Sequence, residues 1–228
     1  MKLNKAIKVI SFDAYDTILS SKSNLEEISD ILFKDTKPKT INSFWIEFSK
    51  AMDLEFEQIE KFPFQKVSFL YKNALNDKNL KKFLKVSIDI ATEIIYNSHA
   101  NAVAIEGIQD LIQSLRKEYI VVILSDADND FLISALKKNN IIVDLVVTSE
   151  MAKGYKRNVN SNVFNHFLSQ NNYSPDSIIH IGDSINDKIG CEKYGINFLY
   201  FNPFNRPSSI NNINAVNSLS EIYDLFLE

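Results

Sequence analysis

Four apolar runs in this chain lead into residues able to do chemistry together: Asp13 with Thr17, then Ser125, then Lys156 a few residues past its run, then Asp183 with Asp187. A carboxylate can attack phosphorus and form an acyl phosphate. Hydroxyls and a lysine can hold the phosphoryl oxygens and neutralise them. Two further carboxylates near the nucleophile offer hard oxygen ligands to Mg²⁺, and a divalent cation lets clustered acids stay ionised side by side. Each residue alone is equally well explained as a turn or capping residue. The combination at successive strand ends is what points to phosphoryl transfer.

The elements that must position these residues follow from hydrophobic periodicity. Val9, Ile10 and Phe12 predict a short buried strand that delivers Asp13 to its carboxyl end, the end that faces the ligand crevice of an open α/β sheet. Further apolar runs over 120–124, 143–147, 177–181 and 198–201 predict four more strands. Helices are expected over 106–118, 129–138, 161–169, a short stretch ending at Tyr194, and 219–227. Strands alternating with helices of this length imply parallel βαβ units. The Asn-rich stretch 205–217 reads as a surface loop.

Between the first strand and residue 103 the pattern is helical throughout. Ser23 and Glu26 have the spacing of a capping box ahead of Ile28, Ile31 and Leu32. Pro38 and Pro63 interrupt, and the stripe Ile41, Phe44, Trp45, Phe48, Met52, Phe56 and Ile59 lies between them. A third helix is expected from Phe64 to Ala74 and a fourth over 80–95. Periodic burial explains every member of the aromatic stripe, so it reads as the core of a helical module rather than a ligand box. The expected fold is therefore a three-layer, Rossmann-like α/β core with a central parallel sheet. Residues 1–19 and 103–228 would form the core, and residues 20–102 an all-helical insertion after the first strand.

Composition bounds the function. A formal net charge of −4 gives no basic face for nucleic acid. No run approaches the length of apolar chain that spans a bilayer, about 18 residues or more. The amino-terminal segment meets an acid after a short apolar run and lacks the form of a signal peptide. The single cysteine, Cys191, leaves no intramolecular disulfide and fits a reducing compartment. The expectation is a cytoplasmic protein acting on a small molecule, with neither nucleic acid nor membrane as partner. Nothing in the sequence signals an oligomeric state.

The motifs, taken together, resemble those of the haloacid dehalogenase superfamily of hydrolases, most of which are Mg²⁺-dependent phosphatases. The resemblance spans nearly the whole core. It assigns Asp13 as the nucleophile, with Thr17 and Ser125 as phosphate-holding hydroxyls. Lys156 matches the lysine of the third motif better than Lys153 does. Gly182, Asp183 and Asp187 match the Gly-Asp-x-x-x-Asp signature, whose acids hold the metal together with Asp13. The resemblance also implies a metal contact from the Tyr15 backbone carbonyl and phosphate contacts from the backbone at Asp126. The helical insertion is similar to the family's cap, which closes over the crevice and selects substrate.

Two departures shape the expectation. Phosphatases of this family usually carry an acid two residues after the nucleophile; here that position is Tyr15, and Asp16 is the nearest substitute. Loss of a general acid/base removes about 10² to 10⁴ in rate, so slow turnover on alkyl phosphates is expected. Asp-Ala-Tyr at the first motif is also similar to the 2-haloacid dehalogenase branch, which uses a cap arginine and lacks the metal-binding Asp. The insertion contains no arginine, and Asp183 is present. The resemblance thus favours an Mg²⁺-dependent phosphohydrolase acting on a small phosphorylated metabolite, such as a sugar or polyol phosphate. A dehalogenase-like hydrolase and a catalytically degenerate phosphate-binding protein are the alternatives.

Overall fold

The computed structural model describes residues 7–20, 24–58, 63–158, 162–204 and 215–227. Strand β1 (Val9–Phe12) leads through a tight turn to β2 (Leu19–Ser20). Helices α1 (Leu25–Leu32), α2 (Pro38–Gln58), α3 (Val67–Leu75), α4 (Lys78–Lys81) and α5 (Ile88–Ala100) come next, and β3 (Val103–Ala104) brings the chain back. Leu19 pairs with Ala104 and Ser20 with Val103 in an antiparallel ladder, so α1–α5 hang from a two-strand neck. The remainder alternates: α6 (Ile108–Leu115), β4 (Ile120–Ser125), α7 (Asn129–Lys138), β5 (Leu145–Thr148), α8 (Ser149–Ala152), α9 (Val163–Gln170), β6 (Ile178–Gly182), α10 (Ile185–Tyr194), β7 (Asn197–Phe201), β8 (Ala215–Val216) and α11 (Leu219–Leu227).

Six strands form one parallel sheet in the order β5-β4-β1-β6-β7-β8. The two-residue period of a strand divides its side chains between two helix layers. Ile10, Phe12, Val121, Ile123, Ile179 and Ile181 pack in one cluster with residues of α6, α7 and α11. Val9, Val122, Leu124 and Ile178 pack on the other face with Val163, Phe164 and Phe167 of α9. The chain moves outward from β1 to β4 and β5, then returns to the far side of β1 with β6. That reversal leaves a crevice at the carboxyl ends of three adjacent strands. Phe12 lies in register with both Ile123 and Ile181, so Asp13, Ser125 and Asp183 reach the same edge.

Several local expectations differ from the fold, each for a physical reason. The fourth insertion helix is two helices, α4 and α5, because the Ser87 side chain accepts from Ile90 N and starts a new helix. Pro38 opens α2 instead of interrupting it, as suits a residue with no N–H to satisfy. At α1 the N-cap position is Asn24, whose side-chain amide donates to Ser98 O and Asn101 O across the insertion. Ser23 and the Glu26 side chain, which carried the expected capping box, lie outside the described residues, as do Ile59 and Arg206. Ile31 is 49% exposed, off the buried face of Ile28 and Leu32. The third core strand starts at Leu145 because Asp144 Oδ2 accepts from Val121 N and takes the place of a ladder carbonyl. Ala215 and Val216, read as part of a loop, pair with Tyr200 and Phe201 as an added edge strand.

No helix among the described residues is long and apolar enough to cross a membrane.

Candidate active site

Asp13 leaves β1 with its N–H bonded to Ile181 O at 2.9 Å. The chain then turns within a few residues: Ile18 N and Leu19 N both reach Ala14 O, and Asp16 adopts φ +64°. Asp is among the few non-glycine residues that tolerate that left-handed conformation, through its short polar side chain. The turn brings Thr17 inward, where its hydroxyl donates to Asp183 Oδ1 at 3.4 Å. Asp183 itself follows β6. Gly182 before it has a steric role, since a Cβ there would lie 2.6 Å from Asp187 Cγ.

Asp187 sits on the first turn of α10 and is held from four directions. Ser184 and Asp187 form a capping box: Asp187 N donates to Ser184 Oγ, while Asp187 Oδ2 accepts from Ser184 N at 3.1 Å and from its hydroxyl at 2.5 Å. Asp187 Oδ1 meets Lys156 Nζ at 2.5 Å and His180 Nε2 at 3.0 Å. His180 is in turn fixed through Nδ1 to Ser11 Oγ at 2.9 Å. Lys156 Nζ also donates to Asp13 Oδ1. The buried ammonium thus bridges the carboxylates after β1 and β6. Its own backbone N–H is held by Asp126 Oδ1 at 2.8 Å, which ties the Lys156 loop to the end of β4. Lys153, the other candidate for this position, lies in the left-handed region with its ammonium 5.5 Å from the Phe64 ring centroid.

The electrostatics follow from burial and from four acids around one ammonium. Burial, aided by the neighbouring Asp187 charge and opposed by Lys156, raises the Asp13 carboxyl to about 7. Burial and the Asp13 charge push Asp183 to about 8. Asp126 is likewise raised by burial, to about 6. At Asp187 burial is outweighed by Lys156 and the His180 hydrogen bond, so its carboxyl stays well below the usual range. Burial alone would depress Lys156, but the Asp13 and Asp187 charges keep it protonated. Asp13, Asp183 and Asp187 each present a ligand atom, all within 4.8 Å of one another. Hard oxygens in this arrangement, two of them on carboxyls that resist ionisation without a counter-charge, fit a divalent cation such as Mg²⁺.

The sequence-predicted residues Asp13, Thr17, Ser125, Lys156, Asp183 and Asp187 thus surround one crevice, with Ser125 buried at the end of β4. Tyr15 lies in the turn, but its hydroxyl donates to His99 O at 3.1 Å and its ring packs edge-on against His99 and Phe131. Beside this crevice a cleft of about 440 Å³ opens between the insertion and the core. Trp45, Phe48, Met52 and Phe56 of α2 line it, facing Asp16 and Asp126. The aromatic stripe therefore does more than fill a helical core. Phe44, Phe48 and Met52 are buried, while the edge of the stripe forms a wall of the cleft.

Sequence reading missed two further parts of this region. Asp128 crosses to the insertion and caps α3, accepting from Val67 N at 2.7 Å and Ser68 N at 3.0 Å. Tyr155 crosses as well, its hydroxyl donating to Gln65 O at 2.6 Å. A fixed acid three residues past Ser125 was the only available signal for the first, and the second had none. Cys191 is buried, and burial pushes its thiol up, as for a small core residue.

An open parallel sheet with carboxylates at its switch point, a buried lysine between them and a helical insertion after the first strand defines a Rossmann-like α/β class of protein with an acidic site at the strand ends. Residues 10–201 match the sequence model of the haloacid dehalogenase-like hydrolases, and the chain belongs to that family. Among solved structures, a dehalogenase superposes with a TM-score of 0.81 at 19% identity, covering 99% of this chain and 100% of that one. The L-2-haloacid dehalogenase from Xanthobacter autotrophicus with chloropropionic acid covalently bound gives 0.79 at 11% identity, with 96% and 98% covered. The putative HAD-hydrolase YfnB from Bacillus subtilis, bound to magnesium, gives 0.75 at 16%, with 97% and 99% covered. At such identities the likeness is one of fold. A search of curated proteins gave no match.

Proposed function

We propose that the protein is an Mg²⁺-dependent phosphohydrolase that cleaves a small phosphate monoester through an aspartyl phosphate on Asp13, with residues 20–102 acting as a cap. The observation that carries this reading is Asp183: a third carboxylate beside Asp13 and Asp187, raised by burial and like charge, that a cation relieves and a metal-free carbon-attacking site has no use for. Magnesium in the solved structure of YfnB accords with it.

Asp13 attacks phosphorus while Lys156, Thr17 and Ser125, with the backbone at Asp126, hold the phosphoryl oxygens. Bound Mg²⁺, held by the Asp13 and Asp183 carboxylates and the Tyr15 carbonyl, would neutralise the charge that the phosphoryl group brings into the crevice. Both Asp187 oxygens already accept hydrogen bonds, so Asp187 serves the cation through its charge or a water and serves Lys156 directly. With the Tyr15 hydroxyl turned to His99 O, Asp16, which lines the cleft, would be the acid that protonates the leaving oxygen. Water then attacks the aspartyl phosphate and restores Asp13.

A dehalogenase reading follows from the names of several structural neighbours. It needs a cation to receive halide, and the described residues that line the cleft include neither lysine nor arginine. Arg157, next to Lys156, has its guanidinium 4.2 Å from the ring centroid of Phe56, a wall residue of the cleft, and its charge is paired with Asp53 of the insertion at 3.6 Å.

The test is phosphate release from an aryl phosphate with a good leaving group, which needs little protonation and so bypasses the missing acid. Release that requires both Mg²⁺ and an intact Asp13, and that vanishes in Asp13→Asn, supports the reading. Equal release by the variant, or halide release from a 2-haloacid without metal, overturns it.

A further inference from the structure

The turn that carries Lys156 also carries contacts by which the core meets the insertion. Asn158 N donates to Tyr155 O at 2.9 Å, and Asn158 Oδ1 accepts in return from Tyr155 N at 2.5 Å, so residues 155–158 close into a tight turn from both ends. Lys156 and Arg157 are its two central residues, and their side chains part. The Lys156 ammonium goes to Asp13 and Asp187 in the crevice. The Arg157 guanidinium goes to α2, 4.2 Å from the Phe56 ring centroid and 3.6 Å from the Asp53 carboxylate.

Phe56 is a shared seat. Its ring meets Tyr155 edge-on at 5.0 Å between centroids, it carries the Arg157 guanidinium, and it forms part of the cleft wall. A planar guanidinium against an aromatic face holds its orientation better than a lysine ammonium would. On the core side the Lys156 N–H is bonded to Asp126 Oδ1 at 2.8 Å. The turn is thus gripped by Asp126 on one side and by Phe56 and Asp53 on the other. Because it is closed, a shift at Arg157 carries Lys156 with it, and the ammonium must meet two carboxylates at hydrogen-bond distance.

We propose that Arg157 is a positioning residue: seated on Phe56 and Asp53 of the insertion, it sets the turn over 155–158 and, through it, the reach of Lys156 into the crevice. The consequence for turnover rests on the phosphohydrolase reading. The link between α2 and the Lys156 turn stands on the geometry alone.

The test uses the full-length protein with two readouts. Hydrolysis of 4-nitrophenyl phosphate with Mg²⁺ gives kcat and KM, and hydrogen exchange of the Lys156 amide, followed by NMR, reads its bond to Asp126. Arg157→Gln should lower kcat about tenfold with KM within about threefold of the parent, and speed Lys156 amide exchange by about tenfold. Lys66→Gln supplies the control. It breaks a different ion pair between insertion and core, Lys66 with Glu150 at 2.7 Å, and should leave kcat and the exchange within about twofold. In the Phe56→Leu background the seat is already lost, so adding Arg157→Gln should cost no more than about twofold in kcat. Circular dichroism confirms folding, and if Arg157→Gln does not fold, Asp53→Asn at its exposed position should show the same pattern at about threefold. A folded Arg157→Gln with raised KM but unchanged kcat and exchange overturns the proposal, since that is the mark of a residue that only docks the insertion. An equal kcat loss in Lys66→Gln, or a full tenfold loss in the Phe56→Leu background, overturns it as well. The two readings fail separately. Absence of phosphate release by the parent protein sinks the phosphohydrolase and leaves Lys156 exchange to decide the link, while release that survives Arg157→Gln with unchanged exchange sinks the positioning role alone.

Discussion

Asp187 Oδ1 lies 2.5 Å from Lys156 Nζ, and the same oxygen accepts from His180 Nε2 at 3.0 Å, so the lysine is aimed at Asp13 by a carboxylate that is itself clamped. Asp187→Asn keeps the shape and removes the charge. Among the described residues, Asp13 is then the one ionisable carboxylate still in contact with the Lys156 ammonium, and it is the contact that the proposed phosphoryl group would displace. The expected result is a fall in kcat of about 10² to 10³, the scale of losing one preorganised electrostatic contact. Steady-state kinetics on an aryl phosphate, with circular dichroism to confirm folding, would check this. A variant that is folded and within a few-fold of the parent would show that Asp187 does not position the lysine.

The insertion is docked onto the core by side chains that cross between them. Asp128 supplies the N-terminal cap of α3 from the far side of the interface, and Lys66 pairs with Glu150 at 2.7 Å beside it. Replacing an N-cap acid by alanine costs about 0.5–2 kcal/mol. Asp128→Ala should lower stability by that amount in urea unfolding, and it should loosen the α3 side of the cleft, raising KM more than it lowers kcat. An unchanged midpoint would show that α3 is held by packing alone.

Tyr15 stands where a general acid is expected, yet its hydroxyl is spent on His99 O and burial pushes its ionisation far above neutral pH. Tyr15→Phe should therefore leave aryl phosphate hydrolysis within about threefold of the parent, well short of the 10² to 10⁴ loss that removing a true acid brings. It should cost about 0.5–1.5 kcal/mol of stability from the lost hydrogen bond. A large fall in kcat with a preserved melting temperature would make the phenol the acid after all.

What the sequence disclosed and what it concealed divide along the range of the interactions. Asp13, Ser125 and Asp183 were legible because a strand end is a local event: an apolar run stops and a polar residue follows. Thr17 and Asp187 came with them through fixed spacings in a turn and a first helical turn. The α4–α5 break was hidden because Leu80, Leu84, Ile88, Ala91 and Ile95 keep helical phase across it. Only the Ser87 cap betrays the interruption. The roles of Asp128, Tyr155 and Trp45 were concealed for another reason. Each depends on how the insertion lies against the core, and no periodicity within either part encodes that.

The acid cluster also predicts a pH-dependent stability whose slope Mg²⁺ should oppose. Unfolded aspartates ionise near pH 3.9, whereas burial holds Asp13 at about 7 and Asp183 at about 8 in the folded protein. Between about pH 4 and pH 8 the native state retains protons that the unfolded chain has released, so metal-free stability falls as pH rises through that window. Asp187 runs the other way: held low by Lys156 against the cost of burial, it contributes stability above about pH 4 that is lost only in stronger acid. At the proposed site Mg²⁺ would bind the ionised carboxylates, displace the protons and so stabilise the protein more at pH 8 than at pH 5. Thermal unfolding at several pH values, with and without Mg²⁺, should show Tm declining toward alkaline pH in the metal-free protein and the Mg²⁺ increment growing over the same range. Asp183→Asn removes the most strongly raised of the three carboxyls, Asp13, Asp126 and Asp183, and should flatten both trends. A Mg²⁺ increment independent of pH, or one retained in full by Asp183→Asn, would place the cation elsewhere on the molecule.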